Sequence, residues 1–252
     1  MSFPQLRVRS GYSFKQAYGR ESDVIARLKE LECDTAALVD IGTFGHVRWE
    51  QAALKAELNP MFGIEVPIKA VSSYEDEGPI YSPHRPRAWI LAEDTRQFYR
   101  ASSAAFSGDG FIADEFAAIK GVVKFAGGAV GCLAYEAEQY DYVDINPSSL
   151  LHAAYGVKSA RQTGAPIAIT SYNDMPSPAH KQFAYAWTVR ESVGMRHMAS
   201  EGELWEGLKQ VMTRAEFDAG VRNSIDIADR LKGVRLAKAP MIHMEGDLPP
   251  AP

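Results

Sequence analysis

The residues of this sequence best suited to chemistry are three arginines, three acids, a cysteine and a tyrosine. Arg7 and Arg9 alternate along residues 6–10, Arg87 precedes residues 88–92, Asp40 ends residues 35–40, and Glu65 lies within residues 61–68. Cys132 comes after a Gly127-Gly128 turn, and Tyr172-Asn173-Asp174 follows residues 166–170. Each of these stretches reads as a strand or its exit, and in parallel α/β folds reactive side chains gather at the carboxyl ends of strands. Three guanidinium forks converging there suit either a phosphate or nucleotide, or internal ion pairs with Glu65, Asp174 and Asp40. Glu65 and Cys132 alone, one carboxylate and one thiol, are too few donors for a metal. The six histidines, His46, His84, His152, His180, His197 and His243, share no helix-face or strand spacing that would make a ligand pair. His84 and His180 alone lie on loops within reach of the strand ends, and the histidines read as surface or capping residues. No P-loop, G-x-S-x-G or G-x-G-x-x-G motif occurs, and Cys33 follows a helix with no histidine nearby, so nucleophilic catalysis has no support.

The elements that must position these residues are legible from periodicity. Residues 6–10 alternate apolar and polar and close on Gly11, as a half-buried strand does. Ser22 and Asp23 are placed to cap a helix in which Val24, Ile25, Leu28 and Leu31 recur at helical spacing. Residues 35–40 are a continuous apolar run ending in an acid, the pattern of a strand buried on both faces. Helical spacing returns over residues 45–58 through Val47, Trp49, Leu54 and Leu58, and a strand follows over residues 61–68. This alternation argues for right-handed parallel crossovers. Residues 72–86, with three prolines and Glu75-Asp76-Glu77, read as a loop. Strands are predicted at 88–92, 121–125, 140–145 and 166–170, with helices at 95–106 and 148–163. Helical segments then follow near 179–193, 203–212 and 214–231, the last with Phe217, Val221, Ile225 and Ala228 on one face. Seven strands in this alternation fit an α/β distorted barrel better than an open sheet. Residues 1–240 form that domain, and the Pro-rich residues 241–252 are expected to be a mobile tail.

Composition narrows the function classes. The chain has 252 residues, 46% of them hydrophobic and 23% charged, which excludes disordered, collagen-like and coiled-coil architectures. A net charge of −5 excludes a chain-wide affinity for nucleic acid. Arg230, Lys232, Arg235 and Lys238 could touch DNA phosphates weakly, but a solvated helix end is the commoner reading. Trp187 and Trp205 read as core residues. Two cysteines without C-x-x-C spacing suggest neither a disulfide scaffold nor a zinc ribbon, and point to a reducing, cytoplasmic compartment. No apolar run approaches the roughly 18 residues of a membrane span, and none resembles a secretion signal.

Three segments, Leu6-Arg7-Val8-Arg9-Ser10-Gly11-Tyr12-Ser13, Ala37-Leu38-Val39-Asp40-Ile41-Gly42-Thr43-Phe44-Gly45 and Asn59-Pro60-Met61-Phe62-Gly63-Ile64-Glu65-Val66, resemble in order and spacing the PHP (polymerase and histidinol phosphatase) domain at the start of bacterial replicative DNA polymerase III α subunits. The likeness continues through Ile90-Leu91-Ala92-Glu93-Asp94, Gly131-Cys132-Leu133, residues 142–145 and residues 166–174, and ends in the helix around residues 223–230. It covers roughly residues 3–240, and the polymerase palm, fingers and thumb are absent. The resemblance implies a distorted seven-stranded β/α barrel of PHP type. In active relatives its mouth holds up to three divalent metals on about nine histidine and carboxylate ligands.

That ligand set is largely replaced. The histidines of the family's first-strand H-x-H pair fall on Arg7 and Arg9, the one after the second-strand aspartate on Ile41, and the one opening the fourth strand on Arg87. The third-strand glutamate remains as Glu65 and the cysteine as Cys132, Asp40 also matches, and the late D-x-H motif falls on Tyr172 and Asp174. A guanidinium stays protonated and has no lone pair to donate. At ~5 Å and an effective dielectric near 20 it would oppose a divalent ion by about 6 kcal/mol. The expectation is therefore a catalytically silent PHP-like barrel without metal or cofactor. It would serve as a structural or interaction subunit for a separately encoded DNA polymerase or other replisome protein, touching DNA only indirectly or weakly and no membrane, as a compact and even viral genome could encode. The alternatives are a metal-dependent phosphoesterase or 3′–5′ exonuclease with a rearranged site built on Glu65, Asp174, Asp40 and a loop histidine, and an anion or nucleotide binder using Arg7, Arg9 and Arg87.

Overall fold

The computed structural model describes residues 2–13, 17–68, 87–107, 113–126, 140–183 and 194–236. Seven strands, β1 (Gln5–Val8), β2 (Thr35–Asp40), β3 (Asn59–Pro67), β4 (Arg87–Ala92), β5 (Val122–Ala126), β6 (Tyr142–Ile145) and β7 (Ile167–Ile169), form one sheet in sequence order. Strands β1, β2 and β3 are mutually parallel, β4 runs antiparallel to both β3 and β5, and β5, β6 and β7 are again parallel. A parallel bridge from Val8 to Asn173, just beyond β7, brings the two edges of the sheet together. The result is a curled, mixed α/β barrel. Its mouth lies at the carboxyl ends of all strands but β4, which enters the sheet there.

Alternation along each strand sorts the core into an inside and an outside. Leu6, Ala37, Val39, Met61, Trp89, Leu91, Val123, Phe125 and Ala168 pack together inside the barrel. Outward residues of β1 to β4, such as Leu38, Phe62, Ile64 and Ile90, pack under α1 (Glu21–Glu30), α2 (His46–Lys55) and α3 (Thr95–Ser107). Val143, Ile145 and Ile169 pack under α5 (Leu150–Thr163), α6 (Glu201–Leu208) and α7 (Arg214–Leu231). A short helix, α4 (Ala113–Ala117), precedes β5. β1 carries a bulge between Gln5 and Val8, so that Leu6 and Arg7, adjacent in sequence, both reach the barrel interior.

Helix α7 seals the edge left by the weak β1–β7 seam. Asn223 Nδ2 donates to the carbonyl of Ile167 (2.7 Å) and Ser224 Oγ to that of Ile169 (2.6 Å), so side chains satisfy the strand's free acceptors. The approach is close enough that a Cβ on Gly220 would stand 2.8 Å from Ile169 Cγ1. Thr213 with Glu216, and Ser200 with Glu203, form capping boxes that start α7 and α6.

Four expectations are corrected. The crossovers are not all parallel, because β4 reverses. Ser22 and Asp23 do not cap α1: its cap is Arg20, with no side-chain bond, and both residues lie in the first turn. Of the apolar residues read along α2 and its exit, Trp49 and Leu58 face the core while Val47 and Leu54 face outward, since His46, Trp49 and Ala53 occupy the sheet side. His46 is buried rather than superficial: its Nε2 N–H donates to the Gly63 carbonyl and Nδ1 accepts from the Tyr99 hydroxyl, both at 3.1 Å. Phe62, Phe98 and Tyr99 surround its ring. The expected loop at 72–86, the tail at 241–252, Trp187 and most of the helix near 179–193 lie outside the described residues. Among the described residues no helix is long and apolar enough to cross a membrane.

Burial lowers the His46 pKa to about 4, against a partial pull upward from the Gly63 carbonyl. The unfolded chain therefore takes up a proton that the fold resists, so the His46 contribution is present above pH ~6.5 and lost as pH falls toward 4, by about 3 kcal/mol. Urea unfolding at pH 7 and pH 4 should show that loss in the wild type and a much smaller one in His46→Gln; equal losses would contradict it.

Candidate functional site

The barrel mouth is filled by a layer of charge. Arg7 enters from β1 fully buried, donating through Nη1 to Asp144 of β6 (2.7 Å) and through Nη2 to Glu65 of β3. Arg9 pairs with the other oxygen of Glu65 and stands 3.6 Å from Asp174 Oδ1. Asp174 is held on its second oxygen by Arg196 Nη1 at 2.6 Å. Three guanidiniums and three carboxylates thus alternate across the mouth, with formal charges in balance among the described residues. Tyr172 is the wall they stack on: its ring lies 4.4 Å from the Arg7 guanidinium carbon, 4.7 Å from that of Arg9 and 5.2 Å from that of Arg196.

Neutral donors complete the layer. Asp144 also accepts from Thr170 Oγ1, Trp89 Nε1 (3.1 Å) and Asn146 Nδ2 (3.2 Å). Burial pushes the carboxyl pKa values of Asp144 and Asp174 upward while Arg7, and Arg9 with Arg196, pull them back. Burial likewise raises the Tyr172 phenol, which stays protonated. For Arg9 burial acts downward, yet the carboxylates of Glu65 and Asp174 outweigh it, so its guanidinium is held charged.

Asp40 has a separate role. Instead of serving as counter-charge to the arginines, it accepts from the Ser10 amide (2.8 Å), Ser10 Oγ (2.6 Å) and Ser13 Oγ (2.5 Å), clamping the loop after β1 to the end of β2. Burial lifts its pKa to about 6, the hydroxyls oppose that lift, and Arg9 is the least of the opposing influences. Ile41, which follows Asp40 at the end of β2, is buried. Arg87 opens β4 at the mouth, but its side chain, Cys132 and His84 lie outside the described residues. His180 stacks on Tyr18, lies tilted against Phe183 and shares a hydrogen with Ser177 Oγ (2.8 Å), and the Tyr18 amide donates to the Asp174 carbonyl at 2.7 Å. Arg230 pairs with Glu93 at 3.1 Å.

Two members of the network were not foreseen. Asp144 could have been found as the one acid in the alternation of β6, where residue 142 faces inward and residue 144 must follow. Arg196 stands outside any regular element and carried no signal in sequence. A divalent-metal centre does not fit this mouth. Its described carboxylates are taken up by guanidiniums, and Arg7 on β1 and Arg9 just after it are cations without a lone pair. Among the described residues no three or more histidines, cysteines, aspartates and glutamates are grouped as a metal site would need.

No model of a known protein family matches the chain, and no curated protein matches it in sequence. Among solved structures it is similar to a protein from Bifidobacterium adolescentis assigned as a metal-dependent phosphoesterase, with a TM-score of 0.46 and 9% identity over 81% of this chain and 96% of that one. It is similar also to a two-domain protein from Bacteroides vulgatus containing an assigned PHP-like metal-dependent phosphoesterase (TM-score 0.41, 8% identity, 74% of this chain and 56% of that one). A third is an amidohydrolase from Chromobacterium violaceum with bound sulfate and no metal (TM-score 0.32, 15% identity, 91% and 74%).

Removing Arg7 would strand Asp144 in the interior, and breaking one half of a buried pair costs about 3–5 kcal/mol. Arg7→Met is expected to lose that much in denaturant unfolding, and Arg7→Met/Asp144→Asn to recover part of it; a double variant no more stable than the single one would refute the pairing. For Asp40, whose folded pKa is raised, the native state binds the extra proton. Stability from this group is therefore present below pH ~4 and lost as pH rises through 6, by about 3 kcal/mol. Asp40→Asn should gain stability relative to wild type by that amount between pH 4 and pH 7.5; a constant difference would rule this out.

Proposed function

We propose that this chain is a PHP-type barrel that acts as a structural and interaction subunit and carries no metal-dependent hydrolysis, its mouth having exchanged ligand histidines for an ion-paired arginine layer. The observation that supports this is the placement of Arg7 and Arg9 at the centre of the mouth, each bound to Glu65. A metal-dependent phosphoesterase of PHP type would need a divalent ion at the mouth, where these guanidiniums offer positive charge but no lone pair. Absence of metal donors with the barrel kept is compatible with a scaffold, because the ion pairs supply the charge balance that metals would otherwise give. The PHP assignment rests on the order of the motifs around Arg7, Asp40 and Glu65. The same motifs are the ground for choosing a replicative DNA polymerase, or another replisome protein, as the partner.

The anion-binding alternative is less well supported. Arg7 and Arg9 are both buried and turned toward carboxylates, so an incoming phosphate would have to displace Glu65 or Asp174.

The assignment of two similar structures as metal-dependent phosphoesterases makes hydrolysis the sharpest test. Elemental analysis of the native protein, with manganese-, zinc- and iron-supplemented assays on bis(p-nitrophenyl) phosphate and single-stranded DNA, should show no stoichiometric metal and no turnover. Bound metal with activity abolished by Glu65→Gln would overturn the scaffold reading. Retention on an immobilised replicative polymerase, unchanged in Glu65→Gln, is the expected positive result.

A further inference from the structure

Helix α2 presents an outward face that the barrel does not use. Val47 (57% exposed) and Leu54 (42%) lie seven residues apart on it with exposed Gln51 between them, and Phe44 (76%) stands in the turn just before the helix. Tyr12 (38%) abuts its start, since a Cβ on Gly45 would stand 2.9 Å from the Tyr12 ring. Three of the eight exposed large apolar side chains among the described residues thus lie on this face or in the turn leading into it, and Val47 and Leu54 keep the seven-residue spacing of a helix-packing seam. The opposite side of the same helix is already committed to the core through His46, Trp49 and Ala53.

The flank of this seam has a definite charge. Arg48 and Lys55, seven residues apart, are exposed on one side, and neither has an ion-pair partner among the described residues. On the other side Glu50 is only half exposed and accepts from the Leu236 amide at 2.9 Å, and Glu57 lies beyond the helix. In a chain of net charge −5 this is a local basic edge on an apolar stripe.

We propose that this face of α2 is a docking site for an amphipathic helix of a partner protein, with apolar residues laid on Phe44, Val47 and Leu54 and acidic residues set against Arg48 and Lys55. A second copy of this chain fits less well. Antiparallel packing would oppose Arg48 and Lys55 to their own equivalents, and parallel packing would ask Glu50, already bound to Leu236, to neutralise Lys55. The helix of ten residues, about 15 Å long, matches two to three turns of a partner. The site is independent of whether the mouth hydrolyses anything.

The probe is a fluorescein-labelled synthetic helix of three heptads with leucine on its seam and glutamate on its flanks, titrated with the full chain and followed by anisotropy. Binding below about 100 μM is expected, weakened roughly tenfold when the flanking glutamates are lysines. The Arg48→Glu/Lys55→Glu chain should reverse that preference, and Val47→Ser/Leu54→Ser should abolish binding while circular dichroism stays unchanged. No binding, equal binding of both peptides, or indifference to these substitutions would overturn the proposal. So would a concentration-dependent dimer in sedimentation that Val47→Ser/Leu54→Ser dissolves, which would assign the face to a second copy.

Discussion

A guanidinium buried at the centre of a barrel has to be neutralised from several sides at once, and Arg7 imposes that requirement on the rest of the fold. It binds Glu65 from β3 and Asp144 from β6, and Arg9, two residues later, binds Glu65 again and faces Asp174 beyond β7. Leaving any of these charges unpaired would cost several kcal/mol. The network therefore fixes the register of β1 more strictly than apolar packing could, because a one-residue slip would turn Arg7 out into the layer of Val8, Leu38 and Ile64. The bulge in β1 is the local adjustment that keeps Leu6 in the barrel core and Arg7 in the mouth.

The same network sets what the mouth can do. Its described acids are paired with arginines, and those arginines stack on Tyr172. Charge balance among the described residues is internal, and the layer ties together β1, β3, β6 and the segment beyond β7. Arg196, 29% exposed, is where solvent meets the network. Asp40 and His46 then act as two buried anchors at either end of residues 41–45, with opposite pH responses that partly cancel between pH 4 and 6.

Much of this was legible in the sequence, for identifiable reasons. The buried run ending in Asp40, the strand bearing Glu65 and the helix ending at Leu231 declare themselves through periodicity, and the three linked motifs point to a barrel whose strand ends converge. The reversal of β4 was not legible, since strand direction depends on the connection and leaves no mark on an apolar run such as residues 88–92. Asp40 was expected beside the arginines because charge attraction is easy to foresee, while the competing hydroxyls of Ser10 and Ser13 become visible only when the loop after β1 folds back. His46 was misplaced because a single histidine at a helix start looks superficial until Gly63 and Tyr99 are seen to satisfy both of its nitrogens.

Crystals of the native protein grown and soaked with manganese, measured across the manganese absorption edge, would test the central claim most directly. The account predicts no anomalous peak at the mouth, with the Arg7 guanidinium between Glu65 and Asp144 and that of Arg9 between Glu65 and Asp174. An anomalous peak coordinated by Glu65 or Asp174, with Arg7 or Arg9 swung away, would contradict it.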